Sequence, residues 1–294
     1  MVKAYDSNAY RLFTFANYLI LLAIGLLCVL PMFHLLAVSF SSKGPANANL
    51  VGLWPIGFTT EAYAEAFTNT KYLKSFLVTF ERIALGVTIN MILTFLLAYP
   101  LSKESRDFPL RSVYVWFIVF TMLFGGGLIP SYMLMKQLHL MDTIWALVLP
   151  GAVPVFNVIM LLNFFRQLPK ELEESAFMDG ASHMVSLIRI YVPLSMPAIA
   201  TLTLFSVVGH WNSWFDGLIY MKSPDHYPLQ TYLQILLEQT KNAITLDGAK
   251  QISEVAKRSL YSAQIFMAML PILLVYPFLQ KYFVKGIVLG SVKG

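Results

Sequence analysis

The chain has 294 residues, 57% of them hydrophobic and only 13% charged, with a net charge of +5. Soluble domains carry about 25% charged residues, so a chain with roughly half that share and 22 phenylalanines is built for lipid. A pair of soluble domains is excluded by this composition, a nucleic-acid binder by the lack of an interleaved basic–aromatic face, and an intrachain disulfide by the single cysteine, Cys28.

In chain order, the sequence predicts an all-α integral membrane protein with six transmembrane helices. Crossing a hydrocarbon layer of about 30 Å takes about 20 apolar residues rising about 1.5 Å each. Runs of that length lie at about 13–40, 76–100, 112–135, 143–165, 190–215 and 259–281. They do not alternate, and barrel strands would be about half as long, so helices are expected. The first run, "LILLAIGLLCVLPMFHLLAVSF", is longer than a signal-peptide core and has no clear cleavage site after it, which predicts an uncleaved helix.

Residues 41–72 follow as an outside loop, in which "TTEAYAEAF" predicts a short helix capped by Thr59 or Thr60. The second run carries Glu81 and Arg82, which as neighbours point to different sides of a helix and are not expected to pair with each other. The outside loop 219–258 predicts an amphipathic helix at "LQTYLQILLEQT" and then polar turns at "NAITLDGAK". Six helices put both termini on one side. Placing that side in the cytoplasm puts Lys103, Arg106, Arg111, Arg166, Lys170 and Arg189 inside, against Lys43, Lys71, Lys74 and Lys136 outside.

No phosphate-cradling G-x-x-x-x-G-K-[ST], zincin, esterase elbow or potassium-filter motif occurs, and five histidines with one cysteine make no metal cluster in the sequence. The densest carboxylates fall in the loop 166–193, "ELEESAFMDGASHMVSLIRIYVP". Pro169 opens it, and Glu171, Glu173 and Glu174 suit the positive end of a helix. Leu172, Ala176 and Phe177 are spaced as one apolar face. Gly180 is placed to stop the helix and Ser182 to cap another. Pro193 and Pro197 are placed to bend the run into the fifth span. The expected object is a compact helix–turn–helix knob at the membrane edge.

Glu174, Ser175, Ala176, then Gly180 after three residues and Ile190, Val192 and Pro193 after nine more, resemble the loop that marks permease subunits of binding-protein-dependent ABC importers. The family pattern has alanine and leucine where this chain has Ser175 and Val192. "LWPIGFTTEAYAEAF", "LLAYPLSK" and "KYFVKGIVLGSVKG" extend the likeness to the shorter permease of maltose-type oligosaccharide importers, nearest the branch that includes permeases for complex or acidic polysaccharide fragments such as alginate. The resemblance implies a type I ABC importer permease fold in the bacterial cytoplasmic membrane. It implies no enzyme activity and no cofactor in this chain, with ATP and Mg held by partners. Those partners would be a second permease, two ATPase subunits and an extracytoplasmic solute-binding protein. Glu174, Ser175, Ala176, Asp179, Gly180, Ala181, Ile190 and Pro193 would then form the surface that docks on an ATPase, and the tail after Lys281 would reach the ATPases as well.

For the pathway, the polar residues within the runs are the candidates: Asn90, Asn157, Asn163 and Asn212, with Trp211 and Trp214 sharing a face as sugar-stacking platforms. The asparagines serve equally as interhelical glue and the tryptophans as an interfacial belt. His210 is read as a packing residue. An ion-coupled transporter or channel is the alternative of another class. It calls for inverted repeats or central carboxylates, and no charged residue lies centrally in runs three to six.

Overall fold

The computed structural model describes residues 8–245 and 257–291. These fall into two compact units, one built from the first 69 positions with 235–270, the other from Thr70–Gln234 with the positions from 271 onward.

The first unit opens with helix α1 (Asn8–Ser39), whose apolar window buries nothing within the chain, as a lipid-facing helix would. Helices α2 (Lys43–Asn47) and α3 (Glu61–Thr68) follow. Phe40 stacks on Phe58 at 5.3 Å and on Tyr63 at 4.7 Å, and the Ser39 and Tyr63 hydroxyls share a 2.7 Å hydrogen bond, which fixes α3 to the end of α1. The α3 start is held by Thr59, whose Oγ1 accepts from the Glu61 amide at 3.2 Å.

The second unit is organised around α4 (Thr70–Ser102). Then come α5 (Arg111–Leu123), α6 (Leu128–Gln137), α7 (Ile144–Val148), α8 (Val155–Phe165) and α9 (Lys170–Met178). After these follow α10 (His183–Ser186), a π-helical segment Leu187–Tyr191, α11 (Val192–Leu194), α12 (Met196–Asn212) and α13 (Phe215–Tyr220). Helices α14 (Leu229–Thr245) and α15 (Arg258–Ser291) close the chain. The core of this unit joins α4, α8 and α12 through Met91, Ala98, Val158, Leu161, Phe165, Ile199 and Leu202.

Among the described residues, three helices are long and apolar enough to cross a membrane, at Tyr10–Ser39, Thr70–Ser102 and Arg258–Val275. Three bent pairs bring the number to six when each pair counts as one span. Run three differs most from its expectation. It breaks between α5 and α6 with a bend of 107° instead of forming one straight helix. The cause is the run Gly125–Gly126–Gly127, where Gly127 takes φ +87°, a region closed to most side chains. Run four bends by 45° where Pro154 lacks an amide hydrogen. Run five bends by 86° between Leu194 and Met196, and α12 ends at Asn212, where extended Ser213 stops it short of the expected 215. Asn242–Thr245, expected in a turn, continue α14, and the rest of that expected turn lies outside the described residues.

Candidate functional site

Helix α9 ends as its sequence dictates. Gly180 sits at φ +81°, its amide donates to the Phe177 carbonyl at 3.0 Å, and the Ala181 amide reaches back to the Ala176 carbonyl at 2.9 Å. This pair of bonds is the Schellman stop, and glycine adopts its left-handed residue at no steric cost. Ser182 then caps α10, its hydroxyl accepting from the Val185 amide. The chain thus turns sharply between two short helices.

The face that α9 turns inward is not the expected one. Leu172 and Phe177 keep 43% and 38% of their surface exposed and Met178 88%, while Glu173 and Ala176 are more deeply covered. Glu173 is the anchor. Tyr99 and Tyr191 each donate a hydroxyl to it at 2.7 Å, and the Lys103 ammonium pairs with it directly. That ammonium lies 3.9 Å from the Tyr99 ring centre and 4.3 Å from that of Tyr191. Burial works against the Glu173 charge, yet the bonds from Lys103, Tyr191 and Tyr99 outweigh it and hold the carboxyl below the ordinary glutamate range. Removing one partner of such a covered pair strands the other and costs about 3–5 kcal/mol. Glu104 and Lys170 form a second tie between the end of α4 and the start of α9, but it is exposed and screened by solvent.

A second polar cluster lies inside the helix bundle. Arg82, 3% exposed, forms a two-pronged pair with Asp216, in which Nη1 is 3.2 Å from Oδ1. It also donates to the carbonyls of Leu147 and Ser213 and, through Nε, to His210 Nδ1, each at 3.4 Å. His210 Nε2 bonds Asn90 Oδ1 at 3.0 Å, and Asn90 Nδ2 donates to the Gly151 and Ala152 carbonyls at 2.8 and 3.0 Å. The Asn90 amide nitrogen therefore spends both its hydrogens closing the break between α7 and α8, and its oxygen ties that break to His210 of α12. Asn157 Nδ2 donates to the Ser206 hydroxyl at 3.1 Å. A cavity of about 340 Å³ opens beside these groups, lined by Arg82, Asn90, Asn157, Phe205, His210 and Asp216.

The expected docking residues lie together on this loop. Glu174, Ser175, Asp179, Gly180 and Pro193 are exposed, Ala176 and Ala181 are partly covered, and Ile190 packs against the core. The expected pathway residues do not form one surface. Asn90 and Asn157 are themselves buried but line the same cavity, and Asn163 is exposed. Trp211 is buried, edge-on to Phe80 at 5.9 Å and to Phe76 at 6.4 Å, so it is no open stacking platform. Nor do Trp211 and Trp214 share a helix face. α12 ends at exposed Asn212 between them, and Trp214 is the residue just before α13. The sequence reading placed Arg82 in the second run without giving it a partner, and missed Glu173 as an anchor with Tyr99, Lys103 and Tyr191. A cation inside a spanning run was the one available signal for the first cluster.

A family described as "Binding-protein-dependent transport system inner membrane component" matches residues 9–289. The chain is 40% identical over 290 residues to Protein LplC of Bacillus subtilis (strain 168), covering 99% of this chain and 98% of that protein. It is also 40% identical over 285 residues to the polygalacturonan/rhamnogalacturonan transport system permease protein YtcP of the same organism, covering 97% and 99%. Among solved structures it is similar to a chain of a bacterial ABC transporter involved in the import of the acidic polysaccharide alginate, with TM-score 0.82 and 29% identity, over 94% of this chain and 98% of that one.

Proposed function

The chain belongs to the binding-protein-dependent transport system inner membrane components, and from that premise we propose that it is a permease subunit importing an acidic oligosaccharide. The observation that carries the reading is the full-length likeness to a polygalacturonan/rhamnogalacturonan permease and to an alginate importer chain. One chain supplies half the pathway wall. A second permease supplies the other half, two ATPase subunits hold ATP and Mg, and a solute-binding protein delivers the sugar. Both termini face the cytoplasm in this reading, which places α9 on the ATPase side.

The division of labour follows from the loop. The chain lacks a phosphate cradle of its own, so its energy comes from the partners. Exposed Glu174 is available to a basic group on an ATPase, and the Gly180 turn presents a short rigid helix to a groove. A rigid element passes on a displacement that a loose loop would absorb. The cargo preference does not come from the outside lysines alone. Lys43 pairs with Glu61 at 2.9 Å and Lys74 with Asp225 at 3.1 Å, which spends part of the field those lysines would offer an anionic chain.

The test is ATP hydrolysis by the reconstituted complex with uronate oligomers, neutral glucans or amino acids. Uronates are expected to stimulate it. Stimulation by neutral sugars alone removes the acidic reading, and by amino acids alone the sugar reading. Glu174→Lys and Gly180→Trp should abolish transport while the chain still inserts in the membrane. Normal transport in both removes the docking role of the loop.

A further inference from the structure

We propose that Glu173 is the positioning residue that makes α9 and the cytoplasmic end of α4 move as one body. The inference rests on reading α9 as the docking helix, and it adds what that reading lacks, the route by which a push on α9 reaches a spanning helix. Glu174 and Glu173 are neighbours with opposite tasks. Glu174 is exposed on the knob, whereas Glu173 turns back into the chain.

The geometry supports a pin better than a chance contact. Glu173 uses both carboxylate oxygens, taking Tyr99 on Oε1 and Tyr191 on Oε2. Tyr99 lies in the last turn of α4, Lys103 directly follows it, and Tyr191 ends the π-helical segment that leads into α12. Lys103 also donates to the Tyr191 hydroxyl at 3.1 Å, and Tyr99 shares a 3.2 Å bond with His183 of α10. The three stretches thus meet at one carboxylate. Elsewhere α9 offers the bundle less, since Met178 is exposed, Leu172 and Phe177 are covered only in part, and the Glu104–Lys170 pair is open to solvent and screened.

The experiment uses the whole transporter carrying Cys28→Ser, with spin labels at Glu171→Cys on α9 and Arg106→Cys beyond α4, and reads the label distance with and without ATP. Without further substitution the distance is expected to be narrow and the same in both states. In Glu173→Ala it is expected to widen and to shift on ATP binding, while the complex still assembles. A nucleotide-dependent distance in the unmutated anchor, or an unchanged narrow one in assembled Glu173→Ala, overturns the proposal. If Glu173→Ala does not assemble, Tyr99→Phe/Tyr191→Phe takes its place, because it keeps the ion pair and removes only the two hydroxyls. A widened distance there supports the pin, and an unchanged one overturns it. Glu174→Lys separates this idea from its premise. Loss of ATPase subunits in Glu174→Lys with an unchanged distance in Glu173→Ala sinks the pin alone, and full ATPase retention in Glu174→Lys sinks the docking role itself.

Discussion

Two covered ion pairs grip α4, one within its length and one just past its end, and they differ in kind. Arg82 is enclosed and meets Asp216 through two parallel bonds, with Leu147, Ser213 and His210 taking its remaining donors. Lys103 meets Glu173 as a point charge between two tyrosine rings, with side-chain exposures of 12% and 13%. A guanidinium satisfied on every side fixes one arrangement of helices. An ammonium on a flexible stem, with hydroxyls around it, holds the short surface helix α9. The first pair joins α4 to α13 inside the bundle, and the second joins α9 to the end of α4.

The largest break in this comparison should come at the inner pair. Asp216→Ala leaves Arg82 buried and unpaired, and about 3–5 kcal/mol of stability should be lost, seen as a lower unfolding temperature of the solubilised complex. Arg82→Met/Asp216→Leu should recover most of it. An unchanged unfolding temperature in Asp216→Ala would show that the pair does not hold the bundle.

Next in size is Gly86→Ala. A β-carbon there would stand 2.5 Å from the His210 ring, which is held between Arg82 and Asn90. Overpacking of this kind costs about 1–3 kcal/mol. Gly180→Ala meets no neighbour within 4 Å and pays only for its positive φ, about 1–2 kcal/mol. The first should therefore lower whole-complex stability more than the second. Equal losses would mean that the His210 ring moves aside freely.

The smallest effect separates the pairs by acid. The Glu173 carboxyl titrates lower in the fold than the free side chain, so its contribution is complete above about pH 4.3, the unfolded value. It fades as pH falls through the lower folded value. Hydrogen exchange of α9 should speed up over that acidic window in the unaltered chain, and Glu173→Gln should flatten the dependence. A Glu173→Gln profile that keeps the same acid step would assign the step to another group.

What the sequence made legible was local. The Gly180 stop and the Ser182 cap are turn chemistry written in consecutive residues, and both occur in the structure. The pairings that matter most span the chain. Arg82 and Asp216 are 134 residues apart, and Lys103 and Glu173 are 70 apart, so no periodicity links them. Glu173 looked like one of three carboxylates at a helix start because its partners arrive from elsewhere. The glycine run at 125–127 was visible, but it sat in an apolar stretch long enough to read as one span. Trp211 and Trp214 looked paired because nothing in "WNSW" forbids another helical turn.

The π-helical segment Leu187–Tyr191 makes loop length a heritable constraint of its own. A π turn is an α turn with one residue more, and such insertions persist where the extra residue aims a side chain. Deleting any one residue of 187–190 would close that wide turn to an α turn and draw α10 about 1.5 Å nearer α11 along the axis. The stretch that joins Glu173 to Tyr191 would be one residue shorter, with every atom of the anchor still encoded. The nine residues between Gly180 and Ile190 therefore act as a ruler. Along this stretch a lineage can exchange side chains more readily than it can gain or lose a codon.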